Sequence, residues 1–165
     1  MKITTLPEDL FDADSEDIIV YDYQALKESS KQQVNLSMNT FSFLLEGHKQ
    51  VFSDAKSTAI TNSEFLLMKA GKCLMTETFN ESNNLYRSIL FFFSNEAVFH
   101  FIRKYSINLS KEAQRKTIQN IPFDHFLRSF AESLIDVNKL SDHNRGKVLQ
   151  VKFEELMLYL IDKLG

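Results

Sequence analysis

The side chains with most chemistry to offer here are four imidazoles, His48, His100, His125 and His143, and one thiol, Cys73. A bound transition metal needs imidazole and carboxylate donors clustered on one face. No two of these histidines are spaced to share a strand face or a helical turn, so no metal site is expected. Cys73 leads an apolar stretch, Cys73-Leu74-Met75, and reads as a small buried hydrophobe rather than a nucleophile. No serine sits in a Gly-x-Ser-x-Gly setting, and no glycine-rich loop is present to cradle phosphate. Glu154-Glu155 reads as a solvated helix face. The residues therefore point away from catalysis, with no catalytic residue and no cofactor expected.

Binding chemistry is the alternative, and the aromatic content suggests where. The 165-residue chain has fifteen Phe and no Trp. Phe buries area without needing a hydrogen-bond partner, so the interior is expected to be apolar. Phe41, Phe43, Phe65, Leu67, Leu74, Tyr86, Phe91 and Phe93 are the candidate lining of a barrel lumen. Two readings of that lumen stay open. Small barrels fill themselves with side chains, and slightly larger ones enclose an apolar or amphipathic small molecule.

Charge excludes other classes. A net charge of -3 and a pI of 5.8 do not suit a free-standing nucleic-acid binder, which needs a basic surface. The cluster Arg103-Lys104 and Lys111 to Lys116 is interleaved with Glu112 and lacks a stacking platform, so it reads as solvated surface. Residues 1–17 carry Glu8, Asp9, Asp12, Asp14, Glu16 and Asp17 against Lys2 alone, which reads as a solvated acidic arm. A single cysteine allows no intrachain disulfide and fits the reducing cytoplasm. The longest apolar run, Ile89 to Phe93, is too short to span a membrane or to form a signal peptide.

The elements that must position these residues change character once along the chain. Residues 18–94 read as short strands separated by turns, the mark of a sandwich or barrel. Val34, Leu36 and Met38 alternate with polar neighbours, and Phe41 and Phe43 continue the alternation one residue out of phase. Such a slip marks a bulge or a bend at a barrel corner. Residues 95–165 read as helical. Ser94 is the expected N-cap of a first helix carrying Ala97, Val98, Phe101, Ile102 and Tyr105. Residues 106–120 read as a loop or a weak turn of helix. A second helix is expected from about Pro122, with Phe123, Phe126, Leu127, Phe130, Leu134 and Ile135 as its stripe. A third begins after Ser141-Asp142. Its stripe, Leu149, Phe153, Leu156, Met157, Leu160 and Leu164, is the candidate dimer interface, because Leu158, Tyr159 and Ile161 spread the apolar surface beyond one side.

Certain local residues resemble a known family. They are the Leu44-Leu45-Glu46-Gly47-His48-Lys49 turn, the segment Asn62-Ser63-Glu64-Phe65-Leu66-Leu67-Met68-Lys69-Ala70-Gly71, and the closing Lys152-Phe153-Glu154-Glu155-Leu156-Met157-Leu158-Tyr159-Leu160. They are similar to the regulatory domains of AraC/XylS-family transcription regulators. The resemblance implies a cupin-like antiparallel β-barrel followed by a three-helix segment, with the closing helix forming a homodimer. It departs at Asn62-Ser63-Glu64, where the family shows a Pro-Gly pair, and no helix-turn-helix motif is present in the chain.

The expected organisation is an acidic arm (1–17), a cupin-like barrel (18–94) and a helical dimerisation segment packed on it (95–165). The expected function is a signal-sensing and dimerisation domain that receives an apolar small molecule or a protein antagonist. DNA would be reached only through a C-terminal domain not in this chain, and no membrane contact is expected. Two alternatives remain: a free-standing dimeric interaction protein, and a small cupin enzyme.

Overall fold

A computed structural model describes residues 3–10, 16–53, 56–108 and 117–164. Among the described residues ten strands form two five-stranded sheets. They are β1 (Thr4–Leu6), β2 (Ile18–Gln24), β3 (Ser29–Leu36), β4 (Asn39–Glu46), β5 (His48–Ser53), β6 (Lys56–Ile60), β7 (Glu64–Met68), β8 (Gly71–Thr78), β9 (Arg87–Phe93) and β10 (Ile118–Pro122). The front sheet runs β1-β3-β8-β5-β6 and the back sheet β10-β7-β4-β9-β2. Helices α1 (Asn95–Tyr105), α2 (His125–Ile135) and α3 (Asp142–Leu164) follow, with a short 3-10 turn, Val137–Lys139, between the last two. The chain is thus mainly β with C-terminal helices, as the cupin-like reading expects.

The chain crosses between sheets at sharp corners. The slip at Met38 to Phe41 is one of them: β3 ends at Leu36 in the front sheet, and β4 begins at Asn39 in the back sheet. A second corner joins β4 to β5 through Gly47 alone, whose φ is +102°. A Cβ there would lie 2.7 Å from the Thr78 carbonyl oxygen and 2.8 Å from the Tyr86 ring. Glycine is required on both counts, conformation and space.

Both faces of the back sheet are buried, for different reasons. Its inner face meets the front sheet, where Leu44, Leu66 and Met68 pack on Val34, Leu36, Val51 and Met75. Its outer face meets the helices, where Phe41, Phe43, Phe65, Phe91 and Phe93 pack on Phe123, Phe130 and Phe153. Rings pack throughout that layer, Phe43 stacked on Phe65 within the sheet at 4.8 Å and Phe93 of the sheet tilted against Phe153 of α3 at 5.2 Å between centroids. The largest buried cluster of the protein is therefore the sheet–helix layer, outside the barrel.

Three expectations are corrected. The acidic arm is not simply solvated: β1 pairs in parallel with β3, Thr4 opposite Val34 and Leu6 opposite Leu36, because an edge strand with unpaired backbone groups takes a short β-branched partner. Asp12 and Asp14 of that arm lie outside the described residues, as do Lys111 to Lys116 of the basic cluster. Within the stretch read as loop or weak helix, β10 instead extends the back sheet against β7, with Ile118 and Ile121 on opposite faces. Pro122 closes that strand rather than opening a helix. The cap of α2 is Asp124, whose carboxylate accepts from the Leu127 N–H at 2.9 Å. Ser94 caps α1 by accepting from the Ala97 N–H at 3.1 Å.

Candidate functional site

The strand register decides which side chains face the lumen. Phe41, Phe43, Phe65, Phe91 and Phe93 all lie on the helix-facing side of the back sheet, and Leu67 packs with them. Leu74 alternates with Cys73 and Met75, which belong to the lumen cluster, and so points outward from the front sheet. Of the eight candidate lining residues, Tyr86 is the one in the inter-sheet cluster. The physical cause is the second covered face. A strand buried on both sides is apolar at every position, and alternation cannot say which side is inside.

The true inner face holds a cavity of about 200 Å³. Its walls are apolar over most of their area: Val34, Leu36 and Met75 from the front sheet, and Met68 and Leu90 from the back sheet. Leu6 and Leu10 of the N-terminal segment also line it. Other lining groups are polar and come from several strands: Thr40 (β4), Lys49 (β5), Glu77 (β8) and Tyr23 (β2).

Lys49 is the notable one. It is 3% exposed and stands on the inner face of β5 beside Val51. Its ammonium donates to the Ser42 hydroxyl at 3.2 Å, and Ser42 lies 3.5 Å from the Ser88 hydroxyl. Among the described residues no carboxylate lies within ion-pair distance of it. Glu77, its cross-strand neighbour, instead accepts from the Tyr23 hydroxyl at 3.2 Å. Burial pulls Lys49 below the ordinary lysine range, while the charges of Glu77 and Cys73 push the other way. Burial likewise pushes the Tyr23 and Tyr86 hydroxyls up, with Glu77 adding to both. It also pushes the Cys73 thiol up, against Lys49, which keeps that sulfur protonated and inert. The Tyr86 hydroxyl is buried here without a hydrogen bond of ordinary geometry.

Sequence reasoning did not single out Lys49, Ser42, Ser88 or Glu77. A signal for Lys49 was present. Val51 lies two residues after Lys49 on β5 and so shares its face, and an inward Val51 carries the lysine inward with it.

The third helix also turned out differently from its expected role. Leu149, Phe153, Leu156 and Leu160 are buried in the sheet–helix core, and Met157 packs against it. They hold α3 to its own barrel and cannot serve a second subunit at the same time. The opposite side of α3 exposes Val151 (66%) and Leu158 (40%), while Leu164, at the end of the buried stripe, is 49% exposed. Polar clamps fix the helix at its middle and near its C-terminal end. Glu154 accepts from Lys104 at 2.9 Å, Tyr105 at 2.6 Å and Gln150 at 3.0 Å, tying α3 to α1. These bonds, led by that of Gln150, hold its carboxyl at about 2. Tyr159 and Lys163 donate to Asp124, tying α3 to the start of α2. Burial alone would raise Asp124, but these bonds and that of the Leu127 N–H outweigh it and hold the carboxyl at about 2.

Among the described residues no group of three or more His, Cys, Asp or Glu is placed to hold a metal ion. No helix among them is long and apolar enough to cross a membrane. The chain matches no curated protein. Its fold is shared with solved structures of ToxT from Vibrio cholerae. The apo form of a ToxT variant superposes with a TM-score of 0.67 at 12% identity, over 90% of this chain and 57% of that one. ToxT bound to an unsaturated fatty acid gives 0.55 at 14% identity, over 93% and 57%. ToxT bound to (E)-4-(8-methylnaphthalen-1-yl)but-3-enoic acid gives 0.58 at 12%, over 90% and 58%. This chain thus spans a little over half the length of those proteins. The family described as the ExsA N-terminal regulatory domain matches residues 39–164, from the first residue of β4 to the last of α3. The chain belongs to that family, and it is a cupin-like regulatory domain of the AraC type.

Proposed function

We propose that the domain receives an apolar or amphipathic small molecule in the cavity between its sheets and passes the event, through its helices, to an attached DNA-binding domain. The observation that carries this reading is the cavity itself. An apolar chamber with convergent polar groups is the ordinary form of a small-molecule site, and a purely structural barrel would fill it. ToxT, which shares the fold, has been crystallised with acids of apolar body. The reading makes the domain a binding module of the cytoplasm rather than an enzyme. Transmission requires that the effector bind two conformations of the domain unequally.

Thermal unfolding across a panel of small alcohols, amines and carboxylates tests it. A ligand present at a hundred times its dissociation constant adds about 2.7 kcal/mol of stability, which is several degrees in the midpoint. At least one member is expected to do so. No response to any of them contradicts the reading.

A homodimer through α3 is part of the same proposal, with the interface moved to the outer side. Val151 and Leu158 are seven residues apart and lie on one helical face. Leu158→Glu is expected to give a soluble monomer by light scattering. An unaltered domain that is already monomeric at high micromolar concentration contradicts dimerisation.

A further inference from the structure

Resting on the reading of the inter-sheet cavity as a small-molecule site, we infer that Lys49 is a covalent attachment point for a small aldehyde, which it captures as an imine. The Lys49 side chain lines the cavity and is 3% exposed. Among the described residues its amine finds one protein acceptor, the neutral Ser42 hydroxyl. The two carboxylates that also line the cavity are engaged by other donors. Glu77 accepts from the Tyr23 hydroxyl at 3.2 Å, and Asp9 accepts from the Thr5 N–H at 2.7 Å. A buried ammonium with no anion facing it is costly, and loss of a proton removes that cost. Burial pulls Lys49 below the ordinary lysine range for this reason, against the charge of Glu77. A desolvated amine in an apolar pocket is a nucleophile. The nearby Cys73 thiol does not compete, because burial keeps it protonated.

An aldehyde suits this amine because it consumes the buried charge instead of balancing it. The nitrogen lone pair attacks the carbonyl carbon and a C–N bond forms. The carbonyl oxygen then leaves as water, carrying both protons of the uncharged amine, and C=N replaces C=O. Nothing is oxidised or reduced, and the product nitrogen is neutral. Imines hydrolyse in water, so walls that are apolar over most of their area favour the captured form by excluding it. The chain of the aldehyde would lie along Val34, Leu36, Met68, Met75 and Leu90. An apolar cavity of about 150 Å³ takes up benzene, so 200 Å³ holds about eight non-hydrogen atoms. Hexanal fits this limit.

NMR titration of the domain near neutral pH with hexanal, isotope-labelled at its carbonyl carbon, tests the assignment. Hexan-1-ol serves as the arm that cannot react. The bound aldehyde is expected to give one imine resonance that saturates at a single equivalent, and Lys49→Met is expected to lose it. Exposed lysines compete poorly, because near neutral pH an exposed amine is uncharged in about one molecule in a thousand. Borohydride reduction and peptide mass mapping of the unaltered protein keep the test decisive even if the variant fails to fold. Lys49 is expected to carry the hexyl group about tenfold or more above the exposed Lys139. Absence of the imine resonance overturns the inference. So does its persistence in a folded Lys49→Met, or equal labelling of Lys49 and Lys139. If hexan-1-ol then still raises the unfolding midpoint, the covalent step alone falls and the cavity reading stands. If neither compound has any effect, this inference falls and the wider panel decides the cavity reading.

Discussion

At the scale of single residues, two positions carry the barrel's geometry and its chemistry. Gly47 makes the corner that turns β4 into β5, and Lys49 follows two residues later on the inner face. Gly47→Ala places a methyl group against the Thr78 carbonyl in a backbone region that side chains avoid. It should cost about 2 kcal/mol or more in urea unfolding, and a cost below about 0.5 kcal/mol would mean that the corner relaxes freely. Lys49→Met should behave in the opposite way. It replaces a buried cation lacking an ion pair by an apolar chain of similar length, which is neutral to about 1–4 kcal/mol stabilising. A clear loss of stability would show Lys49 to be a structural member of the polar network. Lys49 was hard to read in the sequence because lysine beside a turn is usually solvated. Gly47 was legible as a turn residue because its neighbours are polar and the apolar runs stop on either side.

Among the elements, the back sheet and α3 show why pattern identified the fold but not its faces. Strand-then-helix order followed from the change of period after Ser94, and the N-cap there is as expected. β4 and β9 read as lumen-lining because their phenylalanines are the largest apolar groups in the chain. The helices cover their outer faces, and the lumen instead takes Thr40, Ser42, Leu44, Ser88 and Leu90 from the same strands. The stripe of α3 was identified correctly as apolar and assigned to the wrong neighbour, since a stripe says that a face is buried and not against what. Phe153 lies at the centre of that layer, in contact with the Phe91, Phe93 and Phe101 rings. Phe153→Ala should cost about 3–5 kcal/mol, whereas Val151→Ser on the exposed side should stay within about 0.5 kcal/mol. Equal costs would show that α3 is docked the other way round. The clamps add a pH dependence. The carboxyls of Glu154 and Asp124 are both held at about 2, below ordinary values of 4.5 and 3.8. A carboxylate lowered by folding stabilises fully above its unfolded value, and that share is lost as pH falls towards the folded one. Stability should therefore decline from about pH 4.5 towards 2, and Glu154→Gln should flatten part of that slope. A slope unchanged in the variant would show that the Glu154 clamp does not contribute in solution.

For the whole molecule, the two apolar layers divide the work. The sheet–helix layer is filled with stacked rings and holds the domain together, while the inter-sheet layer keeps a chamber with a cation among its polar lining groups. On the proposed reading, an effector in that chamber would touch both sheets and the N-terminal segment, and the back sheet would carry the change to the helices packed behind it. The central claim is that the chamber, and not the phenylalanine layer, is where the signal enters. Methionines report on both regions: Met68 and Met75 line the cavity, and Met157 packs in the sheet–helix layer. The most direct measurement is the NMR spectrum of methyl-labelled methionines during titration with whichever panel member most raises the unfolding midpoint. Met68 and Met75 should shift in a saturable way while Met157 stays in place. Saturable shifts at Met157 with Met68 and Met75 unmoved, or no saturable shift at any of the three, would contradict the account.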